Sequence, residues 1–348
     1  MKRLKRRSLG LASVLAVLVT LTLSAPAWAA AEGSQSADDY TPPRTAWGDP
    51  LIQGAFTTNS LTPLERPEQL GTQEFYTPEE YAEIVERRRG QPVETITEED
   101  RNRGERGDIH YDFAQYGLVA GQNEFSPNLR TSIIVDPPNG RLPEQVGGRG
   151  GRGGRGGGGG GGVAGRTAIA ARPDDGGPES RSLTERCILW TSTMAPVLPG
   201  GYNSNLHIFQ APGYVVIQAE MGDARVVPTD GRDLSDDVPQ WNGSSVGRWE
   251  GDTLVVETTN FRPEANWRGT SPDRKITERF RRISDDAIEY GFTVEDPATW
   301  TQPWTGVYSL AEIEGPLYEY ACHEGNYGMA NIMAGLRRDE EAAAASGQ

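Results

Sequence analysis

From residue 186 onward the hydrophobic positions recur at every second residue. Ile288, Tyr290, Phe292 and Val294 fall on one side of an extended chain, with Glu289, Gly291, Thr293 and Glu295 on the other. That alternation is the pattern of a half-buried antiparallel strand. Ser284, Asp285 and Asp286 supply turn chemistry between it and a preceding strand over 276–283. Glu250-Gly251-Asp252 likewise joins strands over 246–249 and 253–259. Segment 214–220 turns at Met221-Gly222-Asp223 into 224–228, and Asp230-Gly231 turns the chain again. Segments 304–313 and 317–321 are two further strand candidates.

Two stretches carry the helical period instead. Thr77-Pro78-Glu79-Glu80 is a capping box, in which the Thr77 hydroxyl accepts from the Glu80 amide and the Glu80 carboxylate reaches back. Pro78 suits the first helical position, where its missing N–H costs nothing. Tyr81, Ile84 and Val85 share one face of the helix that follows, and Gly90 is placed to end it. Near the C-terminus Asn326 can cap a helix whose Met329, Ile332, Met333 and Leu336 match one face.

Short strands joined hairpin to hairpin predict a mainly β fold, either an antiparallel up-and-down, lipocalin-like barrel or a sandwich. A partly helical N-terminal segment and a C-terminal helix complete it. The barrel is preferred because closure removes exposed edges, and about eight to ten strands can enclose one small ligand.

The remaining segments are set by composition. Lys2, Arg3, Lys5, Arg6 and Arg7 precede an uncharged apolar run over 9–23, and Ala27-Trp28-Ala29 offers small residues to a signal peptidase. Residues 1–29 therefore read as a secretory signal, the run being short for a membrane span. Arg6-Arg7-Ser8-Leu9 leaves twin-arginine export open beside the general route. Residues 30–45 read as a mobile leader and 46–145 as a helical and extended segment packing on the barrel. Residues 146–180 contain an almost pure glycine tract broken by Arg149, Arg152 and Arg155. Such a tract buries too little apolar area to offset its entropy and reads as a spacer. Residues 181–338 form the antiparallel β domain with its helix, and 339–348 a disordered tail.

Net charge is −15, and losing the five basic residues of the signal takes it to −20. An acidic surface repels phosphate backbones and anionic membranes, so neither nucleic acid nor, after cleavage, a membrane is an expected partner. Cys187 and Cys322 are the only cysteines. An even count in an oxidising compartment predicts a disulfide between them, with Cα atoms about 4.4–6.8 Å apart.

Several motifs carry a resemblance. Pro43-Arg44-Thr45-Ala46-Trp47-Gly48-Asp49-Pro50, Leu61-Thr62-Pro63-Leu64-Glu65-Arg66-Pro67 and Ile134-Val135-Asp136-Pro137-Pro138 stand in the first half. Gly247-Arg248-Trp249-Glu250-Gly251-Asp252-Thr253-Leu254-Val255-Val256 and Tyr318-Glu319-Tyr320-Ala321-Cys322-His323-Glu324-Gly325-Asn326-Tyr327 stand in the second. In these the chain resembles a large family of exported bacterial proteins, a likeness that implies export and no particular activity. The family often has a histidine just before the aspartate that follows Glu-Met and another after the Asp-Gly-Arg turn. Here Glu220-Met221-Gly222-Asp223 and Asp233-Leu234 lack both, so no metal or proton-transfer role is carried over to those positions.

Only three histidines are available for chemistry: His110, His207 at the start of a strand, and His323 beside Cys322. No pair has metal-site spacing, so no metal and no cofactor is expected. The candidate catalytic group is His323 with Glu324, Asp223 and Arg225, a proton shuttle oriented by a carboxylate with a guanidinium for negative charge. The bland alternative is a satisfied histidine at a strand-to-helix junction beside an ordinary ion pair. Trp241, Trp249, Trp267, Trp300 and Trp304 crowd one stretch, with Tyr290 nearby. Most such aromatics are core, but Trp249, Trp304, Tyr290 and His207 are the candidate ligand-binding residues for a sugar or phenolic molecule. The reading that results is a periplasmic or secreted barrel binding a small, partly apolar molecule. Its rivals are a hydrolase or lyase using His323, and an envelope interaction module without a ligand.

Overall fold

The structure is a computed structural model that describes residues 40–89, 128–148, 177–190, 194–199, 204–232, 234, 236–267, 269–315 and 317–346. The signal, most of the leader, His110, Gly90 and the glycine tract lie outside the described residues.

The strands are β1 (Gly54–Thr57), β2 (Ile134–Asp136), β3 (Asn205–Ala211), β4 (Tyr214–Ala219), β5 (Ala224–Pro228), β6 (Ser244–Glu250), β7 (Thr253–Thr259), β8 (Lys275–Ser284), β9 (Ala287–Glu295) and β10 (Trp304–Glu312). Among the described residues two α-helices accompany them, α1 (Pro78–Arg89) between β1 and β2 and α2 (Tyr327–Ser346) after β10. One antiparallel sheet runs in the order β5-β4-β3-β1-β10-β9-β8-β7-β6, with β2 paired to β10 beside this path. Its ends, β5 and β6, lie against each other, so the sheet is a nearly closed barrel and not a sandwich.

Alternation along the strands fills the inside. Leu206, Ile208, Val215, Ile217, Leu254, Val256 and Phe280 are buried there, with Ile288, Tyr290, Phe292 and Val294 from β9. Glycine makes the seam possible. A Cβ on Gly247 of β6 would lie 2.9 Å from Val227 Cγ1 and 3.1 Å from Thr229 Cγ2, so its absence lets β5 close on β6. Gly251 takes the positive φ of 61° that the β6–β7 turn requires.

The interior is filled by side chains and by the chain itself: Met194, Ala195 and Val197 are almost wholly buried. The Val197 amide donates to the Tyr290 hydroxyl at 2.9 Å, and the Tyr308 hydroxyl donates to the Val197 carbonyl at 3.1 Å. Segment 194–198 thus plugs the barrel, because its backbone finds partners on the inward faces of β9 and β10.

The capping box of α1 forms as expected, Thr77 N to Glu80 Oε2 at 2.8 Å and Glu80 N to Thr77 Oγ1 at 3.2 Å. Tyr81, Ile84 and Val85 are the half-buried face of α1. Four expectations change. Segment 317–321 is no strand but an irregular strap. Residues 339–346 continue α2 instead of forming a tail, since an alanine-rich, glutamate-bearing run is a strong helix former. Residues 40–45 are tied down, Tyr40 donating to Asp285 at 2.8 Å and Arg44 pairing with Asp252. The segment 46–145 contributes β1 and β2 to the barrel sheet itself. Among the described residues no helix is long and apolar enough to cross a membrane.

Candidate functional site

Burying Leu206 and Ile208 obliges His207 and Phe209 to point out of the barrel. Their rings stack with centroids 3.9 Å apart. Across the ladder, Gln218 of β4 faces His207. Its side-chain amide donates to the carbonyls of Ala219 and Gly222 at 2.9 and 2.7 Å, which sets the β4–β5 turn and displays Asp223. Glu220 is anchored to the start of β3, its carboxylate accepting from Asn205 Nδ2 at 2.8 Å.

The strap forms the opposite wall. Cys322 is disulfide-bonded to Cys187 with Cα atoms 5.6 Å apart, as the cysteine count predicts. Asn326 reinforces this joint by donating to the Glu185 carbonyl at 3.3 Å and accepting from the Met329 amide at 3.1 Å, which caps α2. Trp190 meets Tyr320 edge to face at 5.4 Å. Between strap and barrel wall lies an open groove of about 660 Å³.

His207, Asp223, His323 and Glu324 all line this groove, so the fold brings together four residues singled out from sequence. Burial lowers the basicity of His207 and raises the pKa of Glu220, the latter opposed by the hydrogen bonds from Asn205. Among the described residues no carboxylate is hydrogen-bonded to the His323 ring, and none group as a metal site.

Arg225 is elsewhere. The alternation of β5 turns it inward, where it forms a bidentate pair with Glu278 at 2.6 and 2.9 Å, the two side chains 3% and 0% exposed. The Tyr290 hydroxyl donates to the same carboxylate at 2.8 Å. Burial pulls the Arg225 pKa down, but the attraction of Glu278 outweighs it and the net direction is up. Burial, then Glu278, hold Tyr290 and Tyr308 well above the usual phenol range. Arg225 therefore does not join His323. Trp304 and Tyr290 are core residues without exposure, and Trp249 packs half-buried against the same core. Of the expected ligand-binding residues only His207 reaches the groove.

Sequence reasoning missed Glu278, although a carboxylate between Ile276 and Phe280 on the apolar register signals a buried ion pair. It also missed Trp190, Phe209, Glu220 and Tyr320, which only the approach of the strap to β3 and β4 unites.

Compared with known proteins, the chain matches no family model, no curated protein and no solved structure.

Proposed function

We propose that this is an exported β-barrel protein that binds a small, partly apolar molecule, aromatic or sugar-like, in the groove outside β3 and β4. The observation that carries this reading is the groove itself, about 660 Å³ in volume, on a barrel whose interior holds core side chains and segment 194–198. Sites for small organic ligands span roughly 300–1,000 Å³ and combine apolar faces with a few polar groups. Export is supported by the basic and apolar N-terminal pattern, by the resemblance described above, and by a disulfide, which persists in oxidising compartments. The test is mass spectrometry of small molecules copurifying with protein taken from its native compartment. A compound carried by the parent and lost from Phe209→Ala supports the groove. A compound carried equally by both, or none at all, overturns it, the latter favouring an interaction module.

One observation favours a second reading: His323, Glu324 and Asp223 share the groove. A hydrolase or lyase would use His323 as acid or base, which requires hydrogen-bond reach to substrate. His323→Gln then abolishes turnover with affinity unchanged, whereas the binding reading expects at most a modest loss of affinity.

A further inference from the structure

The groove is lined by four carboxylates and by two histidines, His207 and His323. Glu220, Asp223, Glu319 and Glu324 line it, and no lysine or arginine does so among the described residues. The nearest cation in sequence, Arg225, is turned through the barrel wall and held by Glu278, so it neutralises neither Glu220 nor Asp223. Aromatic rings line the same groove: Phe209 and Tyr318 are 42% and 74% exposed, and Trp190 and Tyr320 also line it. Aromatic faces are electron-rich and attract cations, most strongly where water is partly excluded. Glu220 is such a place, since it is half-buried with a neutral amide as its hydrogen-bond donor. An organic anion would meet repulsion from the carboxylates, and a neutral sugar would leave them unused.

Resting on the groove reading above, we infer that its ligand is a small organic cation, an amine or quaternary ammonium with an apolar body. The ammonium sits among Glu220, Asp223 and the strap carboxylates, and the apolar part lies on Phe209 and Tyr318. No covalent step is involved.

Three probes of like size and different charge test this: phenethylamine, phenethyl alcohol and phenylacetate, titrated into the full protein at neutral pH by NMR and calorimetry. The amine should bind at least about tenfold more tightly than the alcohol, phenylacetate should not bind, and added salt should weaken the amine alone. Glu220→Gln with Asp223→Asn should bring the amine down to the alcohol while leaving the alcohol unchanged. Tyr318→Ala, at a position 74% exposed, should weaken both. Equal affinity for amine and alcohol, or preference for phenylacetate, overturns the charge class and leaves the groove reading standing. Failure of all three probes overturns both.

Discussion

The barrel interior and the outer groove treat charge in opposite ways. Inside, Arg225 meets Glu278 in a bidentate pair, and Tyr290 takes a remaining position on the carboxylate. Outside, four carboxylates line one groove, and no lysine or arginine lines it among the described residues. The difference follows from solvent. A charge taken out of water is costly unless it is paired and hydrogen-bonded, whereas an exposed carboxylate is held by water at no such cost. The Arg225–Glu278 pair is thus closed off from water, whereas Asp223, Glu319 and Glu324 of the groove remain exposed.

The sharpest way to break this comparison is to unpair the interior. Glu278→Gln leaves Arg225 buried without a counter-charge and should cost about 3–5 kcal/mol in urea unfolding. Arg225→Met combined with Glu278→Gln should recover part of that loss. A single variant as stable as the parent would show that water reaches the pair.

Next in size is the joint between the two regions. Replacing Cys187 and Cys322 together by Ala should cost about 2–4 kcal/mol by chain-entropy reasoning, since the bridge closes a long loop. It should also weaken any groove ligand, because the strap is no longer held to 187–190. Loss of stability with affinity unchanged would mean that the strap is positioned without the bridge.

Gly247→Ala addresses the seam and should cost about 1–3 kcal/mol, the added methyl meeting Val227 and Thr229. Thermal melts read this directly, and groove binding should be unaffected.

The smallest effect lies in the groove and carries a pH sign. Burial raises the Glu220 pKa above its ordinary 4.5, so the folded state holds this proton more tightly than the unfolded state does. The resulting stability is present below the unfolded value and is lost as pH rises through the folded one. Glu220→Gln should therefore be slightly more stable than the parent at neutral pH and no different in acid. Melts over that pH range check the direction, and the opposite sign would mean that the Asn205 hydrogen bonds outweigh burial.

By itself the sequence determined most of the local elements and the disulfide. Period two across 288–294 dictates which side of β9 is buried, the Thr77 and Glu80 spacing dictates a helix start, and two cysteines allow one bridge. Each of these is a short-range or counting constraint, so no distant residue had to be known. Asp223 and Arg225 show where that logic ends. As residues two apart they look like neighbours on one face, yet Asp223 sits in a turn that is not bound by the strand period, and β5 carries Arg225 inward. The tertiary structure alone decided that segment 194–198 fills the barrel and that 317–321 becomes a strap instead of a strand. It also decided that Trp190, Phe209 and Tyr320 face one groove with Glu220. These outcomes depend on long-range closure: which backbone finds partners inside the barrel, and which wall the disulfide draws against it.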